Sequence, residues 1–373
     1  MSASRPARRV LATGRAGSTS RAAVPALVAA FALAACGGDR GADATDDGGP
    51  PASSVAPASA TAAVDGLPED WPALLDDLRC EDTTAGTFPR EVEHDGGTAT
   101  IETEPRRVVS IEGTTSLDLL LLMGVTPAAA GGDFDGPAVS TVQAHLAGGT
   151  PEDPGFELFA KRPEVNVEAL AAARPDLVVS QSGWLEGIED DIERLGVPVV
   201  VFDWSDDGEP PDWRNNVRIV AEAVGRDGCA EEIVARVEDA VAGTRMALVE
   251  SGAADRTWSA FTAVHGYTAY HGAADPIGQT LGDELGLDLV PPDGAQTEFG
   301  VETATEVLAG DELLALDFDQ AADDGLDDFL AEPAVAPVAE RVWVMPPEVT
   351  QAAYYPSALG VRLFVHEMQR RYG

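Results

Sequence analysis

Apolar and polar positions change period several times along the chain, and each change marks an element. Arg107-Val-Val-Ser-Ile111 is a short apolar run of strand length. Ser116 to Met123 (SLDLLLLM) has helical spacing and stops at Gly124. Val165 to Ala173 reads as a helix broken by Arg174-Pro175, and Leu177-Val-Val-Ser180 as a second strand. Glu186 to Leu195 is a helix closed by Gly196, and Pro198-Val-Val-Val-Phe-Asp203 is a third strand. Trp213 to Val224 and Ala230 to about Glu250 give a long helical region, interrupted near Gly225–Gly228. The alternation then restarts. Thr257 to Val264 is a strand, Asp275 to Leu285 a helix stopped by Gly286, Glu312 to Phe318 and Arg341 to Met345 further strands, and Ser357 to Arg371 a terminal helix. Strands alternating with helices predict an α/β fold. It has two lobes, each with a central, mainly parallel sheet flanked by helices, joined by a long rigid interlobe helix.

The pattern before these elements is different in kind. Arg5, Arg8, Arg9, Arg15 and Arg21 precede an apolar segment, about Ala22 to Ala35, that ends in Leu33-Ala34-Ala35-Cys36. A basic region, a short apolar core and small residues read as a secretory signal, too short for a membrane span. The cysteine after Leu-Ala-Ala resembles the bacterial lipobox, which implies cleavage before Cys36 and a lipid anchor on its sulfur. From Gly37 to about Asp65 the chain is Gly, Ala, Ser, Pro, Asp and Thr, a composition expected to be a disordered stalk. The remaining roughly 300 residues are too many for one simple core. The expected division is 1–35 signal, 36–65 acylated cysteine and stalk, 66–225 N-terminal lobe, 226–252 interlobe helix and 253–373 C-terminal lobe.

Besides Cys36 the chain has Cys80 and Cys229, an even pair that is a disulfide candidate in an exported protein. Asp plus Glu number 64 against 24 Lys plus Arg, for a net charge of −40, with Lys161 the single lysine. Nucleic acid is excluded as a partner, because phosphate binding needs clustered basic residues. No G-x-S-x-G elbow, G-x-G-x-x-G turn or phosphate-binding G-x-x-x-x-G-K-[ST] is present, so no enzymatic motif points to a catalytic residue.

The order of local motifs carries a resemblance. Phe88-Pro89-Arg90-Glu91-Val92-Glu93-His94, Gly97-Thr98 and Glu104-Pro105-Arg106-Arg107-Val108-Val109 come first, followed by Leu117 to Gly131 (LDLLLLMGVTPAAAG). Next stand Asn166-Val167-Glu168-Ala169-Leu170 and Arg174-Pro175-Asp176-Leu177-Val178-Val179, and later Leu285-Gly286-Leu287 and Glu340-Arg341-Val342-Trp343-Val344. From Phe88 to Gly373 the chain resembles the ferric-siderophore-binding lipoproteins of ABC importers. Theirs is the class III periplasmic-binding-protein fold of the siderophore, cobalamin and haem type. The resemblance implies a ligand held between the lobes with little closure, and capture without chemistry. It implies a monomeric, exported protein anchored to the outer face of the cell membrane, with an ABC permease as partner. One glutamate per lobe would dock into the permease: Glu168 matches the first and Glu306 best matches the second, with Glu302 its rival.

Open α/β sheets bind ligands beyond the carboxyl ends of their strands. The candidate ligand-binding residues are therefore those placed after strands. In the first lobe they are Glu112, Thr114, Thr115, Phe134, Gln181, Ser182 and Trp184. In the second they are His265, Tyr267, Tyr270, His271, Phe318, Asp319, Gln320, Gln351, Tyr354 and Tyr355. Aromatic faces and neutral hydrogen-bonding groups dominate, which suits an organic ligand with carbonyl oxygens. No arginine falls among them, although Arg162 or Arg362 could reach the cleft. A polyanionic tris-catecholate calls for Arg or Lys, so the expected ligand is a ferric hydroxamate or mixed neutral siderophore. Its iron is already saturated by the chelator, so no cofactor and no protein metal ligand are expected. Haem, cobalamin and directly bound Zn, Mn or Fe are the alternatives, the last because His145, His265 and His271 could meet across a cleft.

Overall fold

The computed structural model describes residues 67–80, 84, 86–132, 139–161, 165–185, 187–202, 211–264, 267–291, 296–318, 325–355 and 357–373. The signal, the stalk and Cys36 lie outside the described residues, as do Phe134, Arg162, His265, Asp319 and Gln320.

The N-terminal lobe begins with α1 (Trp71–Leu78), whose Trp71, Leu74, Leu75 and Leu78 form a buried stripe at helical spacing. A hairpin follows, β1 (Arg90–His94) and β2 (Gly97–Ile101). The central elements are β3 (Val108–Ser110), α2 (Thr115–Leu122), β4 (Ala129–Gly132), α3 (Thr141–Ala147), β5 (Glu157–Lys161), α4 (Val167–Ala173), β6 (Leu177–Gln181), α5 (Glu189–Leu195) and β7 (Val199–Phe202). Their strands form one wholly parallel sheet in the order β5-β4-β3-β6-β7. β6 is buried at every position, as a central parallel strand covered on both faces must be. The chain winds outward from β3 in one direction, then crosses back and continues through β6 in the other. The reversal falls between β3 and β6, which is where such sheets open a crevice.

α6 (Trp213–Val224) closes the lobe and ends on Gly225, whose left-handed φ of 70° suits glycine. α7 (Asp227–Glu250) then runs 24 residues without a break. It begins at Asp227 rather than Ala230, because Gly225 alone makes the turn. Cys80 and Cys229 are joined by a disulfide, with Cα atoms 5.4 Å apart, so the end of α1 is tied to the first turn of α7.

The C-terminal lobe contains β8 (Thr257–Val264), β9 (Tyr267–His271), α8 (Pro276–Gln279), β10 (Asp288–Leu289), β11 (Gln296–Glu298), α9 (Ala304–Val307), β12 (Glu312–Leu316), α10 (Gly325–Ala331), α11 (Ala336–Ala339), β13 (Val342–Met345), α12 (Pro347–Tyr354) and α13 (Ala358–Tyr372). Its sheet runs β11-β9-β8-β12-β13, with β10 also paired to β8. β8, β10, β12 and β13 are parallel, whereas β9 and β11 add an antiparallel edge. The helix expected over Asp275–Leu285 is α8 followed by a π-helical turn, Thr280–Glu284. α7 and α13 pack along each other, and Thr244 on α7 donates to the Val365 carbonyl at 3.0 Å. A second junction joins α6 to the C-terminal lobe. Glu284 accepts from Arg214 Nη1 at 2.5 Å and Nη2 at 3.0 Å and from Trp213 Nε1 at 3.1 Å.

Candidate functional site

Ser110 to Thr114 and Gln181 to Trp184 leave β3 and β6 side by side at the reversal of the N-terminal sheet. Glu112 fixes them together. Its Oε1 accepts from the Ser116 N–H at 2.7 Å and its Oε2 from the Gln181 N–H at 3.3 Å, so one side chain holds both loops. Ser110 Oγ and Ser116 Oγ lie 2.5 Å apart beside it. Glu112 is fully buried, and burial pushes its carboxyl pKa up to about 7. It therefore underlies the site rather than facing a ligand. Gly131 on β4 is part of the same construction: a Cβ there would stand 2.2 Å from the Ile111 carbonyl oxygen.

Asp118 stands one turn further along α2, inside an otherwise apolar run. Its Oδ1 accepts from Gln143 Nε2 at 2.8 Å and its Oδ2 from Ser357 Oγ at 3.0 Å. Ser357 caps α13 by accepting from Gly360 N at 3.0 Å, so Asp118 joins the N-terminal lobe to the last helix of the C-terminal lobe. Burial raises the Asp118 pKa to about 7, with the nearby Glu112 adding to the shift. Gln143 also donates to the Gly113 carbonyl at 2.8 Å and forms a capping box with Ser140 at the start of α3. A second link crosses the lobes where Thr141 Oγ1 donates to Glu348 Oε1 at 3.3 Å. Burial raises the Glu348 pKa as well.

These groups enclose an interlobe cavity of about 40 Å³. Gly113, Thr114, Asp118, Ser140 and Gln143 line it from one lobe, and Glu348, Gln351 and Tyr355 from the other. No lysine, arginine or histidine is among its described lining residues. Arg362 does not line it. That side chain lies within the influence of Asp77 and Asp70, and burial lowers its pKa. Phe318, Tyr354 and Tyr355 form an aromatic group on the C-terminal side, edge to face at 5.2 Å and 5.4 Å between ring centroids. Gln351 Nε2 donates to the Phe318 carbonyl at 3.0 Å and holds that group in place.

The sequence-predicted residues thus separate. Thr114, Gln351 and Tyr355 line the cavity, with Tyr354 packed behind Tyr355. Gln181 is buried at the reversal, where its Nε2 has no hydrogen-bond partner; the Oγ1 atoms of Thr114 and Thr115 have none either. Trp184 packs against the apolar cluster of Leu170, Ala173 and Ile192. Tyr267, Tyr270 and His271 are not in a loop, as the local sequence suggested, but on strand β9. Alternation then puts Tyr267 and His271 on one face of the sheet and Tyr270 on the other, so the three cannot converge on one ligand. His271 is buried, with Nδ1 2.9 Å from Asp275 Oδ1, and Asp275 in turn caps α8. It serves the fold of that turn. Burial and the charges of Glu298 and Asp275 raise the Tyr267 pKa. Among the described residues no group of three or more His, Cys, Asp or Glu is placed to hold a metal ion. Glu168 and Glu306 are exposed near the starts of α4 and α9.

Asp118, Gln143 and Glu348 are site residues that sequence reasoning missed. A signal existed for two of them: an aspartate within SLDLLLLM, and Ser140-x-x-Gln143 as a capping box.

Residues 108–338 match the family described as periplasmic binding protein. The chain belongs to that family. Solved structures of the same fold include Staphylococcus aureus SirA complexed with staphyloferrin B, at TM-score 0.62 and 16% identity, covering 76% of this chain and 98% of that one. Another is the triscatecholate siderophore binding protein FeuA from Bacillus subtilis complexed with ferri-bacillibactin, at TM-score 0.62 and 18% identity, covering 76% and 98%. A third is a FhuD fold-family binding protein component of a Fep/Fec-like ferrichrome ABC transporter from Bacillus subtilis, at TM-score 0.57 and 18% identity, covering 75% and 98%. No curated protein matches this periplasmic binding protein by sequence. At such identities the likeness fixes the two-lobe fold and leaves the ligand to the residues of this chain.

Proposed function

We propose that this protein captures a ferric siderophore, of hydroxamate or mixed neutral type, between its lobes and delivers it to an ABC permease. The observation that carries the reading is the chemistry of the cleft. Its described walls offer hydroxyls, amides, carboxylates and tyrosines, with no cation among the residues lining the interlobe cavity. Such a surface accepts a neutral or cationic chelate and repels a polyanionic one. The ligands named for the similar structures, staphyloferrin B and ferri-bacillibactin among them, support the broader class of siderophore.

The protein supplies binding and presentation, not bond chemistry. The chelator saturates the iron, so neither a cofactor nor a protein metal ligand is needed. α7, the disulfide at its first turn and the Arg214–Glu284 junction brace the lobes, so closure is small. A large compaction on ligand binding in small-angle scattering would contradict that. Export and acylation at Cys36 tether the monomer to the outer face of the membrane. Exposed Glu168 and Glu306 then meet basic pockets of the permease.

The test is native mass spectrometry of the purified full chain with a ferric trihydroxamate, a ferric tris-catecholate, haem and cobalamin, offered singly and together. The expected result is a 1:1 complex with the trihydroxamate that survives competition. Preferential retention of the catecholate would refute the charge argument, and retention of haem or cobalamin would replace the siderophore.

A further inference from the structure

The interlobe cavity is too small for a whole ferric chelate. Its volume of about 40 Å³ compares with the several hundred expected of a site for a drug-sized ligand. At about 10–15 Å³ per water it has room for a short pendant group. Its walls also define what that pendant must carry. Asp118 is satisfied, with Gln143 on one oxygen and Ser357 on the other. Glu348 borders the same space, half-buried, with Thr141 donating to its Oε1 at 3.3 Å. The same cavity is lined by Thr114, at the N-cap of α2, where a threonine ordinarily accepts from the first turn. Here the side chain makes no cap hydrogen bond. Its Oγ1 is buried without a partner in a residue only 8% exposed, and the residue lines the cavity. A half-buried carboxylate, a buried hydroxyl without a partner and no cation among the described lining residues together suit a donor that carries positive charge.

We propose that this cavity is a subsite for a primary-ammonium pendant of the bound chelate, with Glu348 as its counter-ion and Thr114 Oγ1 as a second acceptor. The proposal rests on the ferric-chelate reading above and adds a specificity to it. A compact –CH₂–NH₃⁺ group brings three donors and fits the volume. A catecholate or carboxylate pendant would meet Glu348 with like charge.

The experiment compares two probes on the full chain: a linear ferric trihydroxamate ending in a free ammonium, and the same compound N-acetylated at that nitrogen. The acetylated probe keeps the iron centre and removes the charge. The expected result is roughly a tenfold or greater preference for the ammonium probe, the range of a charge-assisted hydrogen bond. In Glu348→Gln, which keeps the shape of the side chain, that preference falls to about one. Thr114→Val reduces it without abolishing it. Equal affinity of the wild-type protein for the two probes overturns the subsite but leaves the chelate reading standing. A preference that persists in Glu348→Gln does the same. Binding of neither probe overturns the chelate reading and the subsite together.

Discussion

On the N-terminal side of the cleft, polar loops are held from below by buried carboxylates. Glu112 pins two loops through backbone N–H groups, and Asp118 orders Gln143 and reaches across to Ser357. On the C-terminal side the wall is aromatic: Phe318, Tyr354 and Tyr355 stack edge to face, and Gln351 secures them through one hydrogen bond. The two walls come from two kinds of sheet. A wholly parallel sheet leaves a crevice at its reversal, where buried side chains must satisfy converging backbone donors. The other sheet extends past β8 into an antiparallel edge, and its rings stand after β12, where Phe318 lies, and at the end of α12, where Tyr354 and Tyr355 lie. One wall is therefore structural and polar, and mutations there should act on folding first. The other is adaptable, and mutations there should act on affinity first.

The largest effect is expected at Glu112. Glu112→Ala leaves the Ser116 and Gln181 N–H groups buried without an acceptor, a cost on the order of 2–4 kcal/mol of stability. Denaturant unfolding should record that loss, with Glu112→Gln retaining more of the stability. The paired substitution Tyr354→Ala with Tyr355→Ala probes the opposite wall. It should weaken ligand binding about tenfold to a hundredfold, on the order of 1.4–2.8 kcal/mol, with a smaller loss in unfolding free energy. If that variant unfolds as readily as Glu112→Ala, the contrast between the walls is lost.

A smaller effect, dependent on pH, is expected at Asp118. Its folded-state pKa of about 7 lies above the ordinary 3.8 of an aspartate, so between those limits the folded state binds the extra proton. Its contribution to stability is then present at low pH and is lost as pH rises toward and through about 7. Asp118→Asn removes this dependence while keeping groups able to pair with Gln143 and Ser357. The variant should gain on wild type as pH is raised from 5 to 8, by roughly 2 kcal/mol, in thermal unfolding followed across that range. Glu168→Lys and Glu306→Lys should change ligand affinity least, within about twofold, because both residues are exposed and outside the cavity. Uptake into cells carrying the permease should fall all the same. Uptake unchanged at normal affinity would remove the docking assignment.

Much of this fold could be read in advance, for physical reasons. β8 runs over Thr257–Val264 as its apolar run predicts, and α13 occupies Ala358–Tyr372 after a serine cap. Of the residues expected after strands, Thr114, Gln351 and Tyr355 line the interlobe cavity and Gln181 is buried at the reversal beside it. Tyr267, Tyr270 and His271 stand on a strand and not in a loop, because a strand that follows another after two residues looks like a loop when only apolar runs are counted. His265 lies outside the described residues, and β9 distributes the other three over both faces of its sheet. Asp118 escaped notice because an acidic residue is uninformative in a chain this acidic. Only its long-range partners, Gln143 and Ser357, mark it as part of the site.

The central claim is that one ligand touches both walls at once. Hydrogen–deuterium exchange of the full chain, with and without a ferric trihydroxamate, measures this most directly. The account predicts slower exchange in peptides covering Gly113–Asp118 and in peptides covering Gln351–Tyr355, at the same ligand concentration, with α7 unchanged. Protection confined to one lobe would contradict it, and so would protection centred on α7.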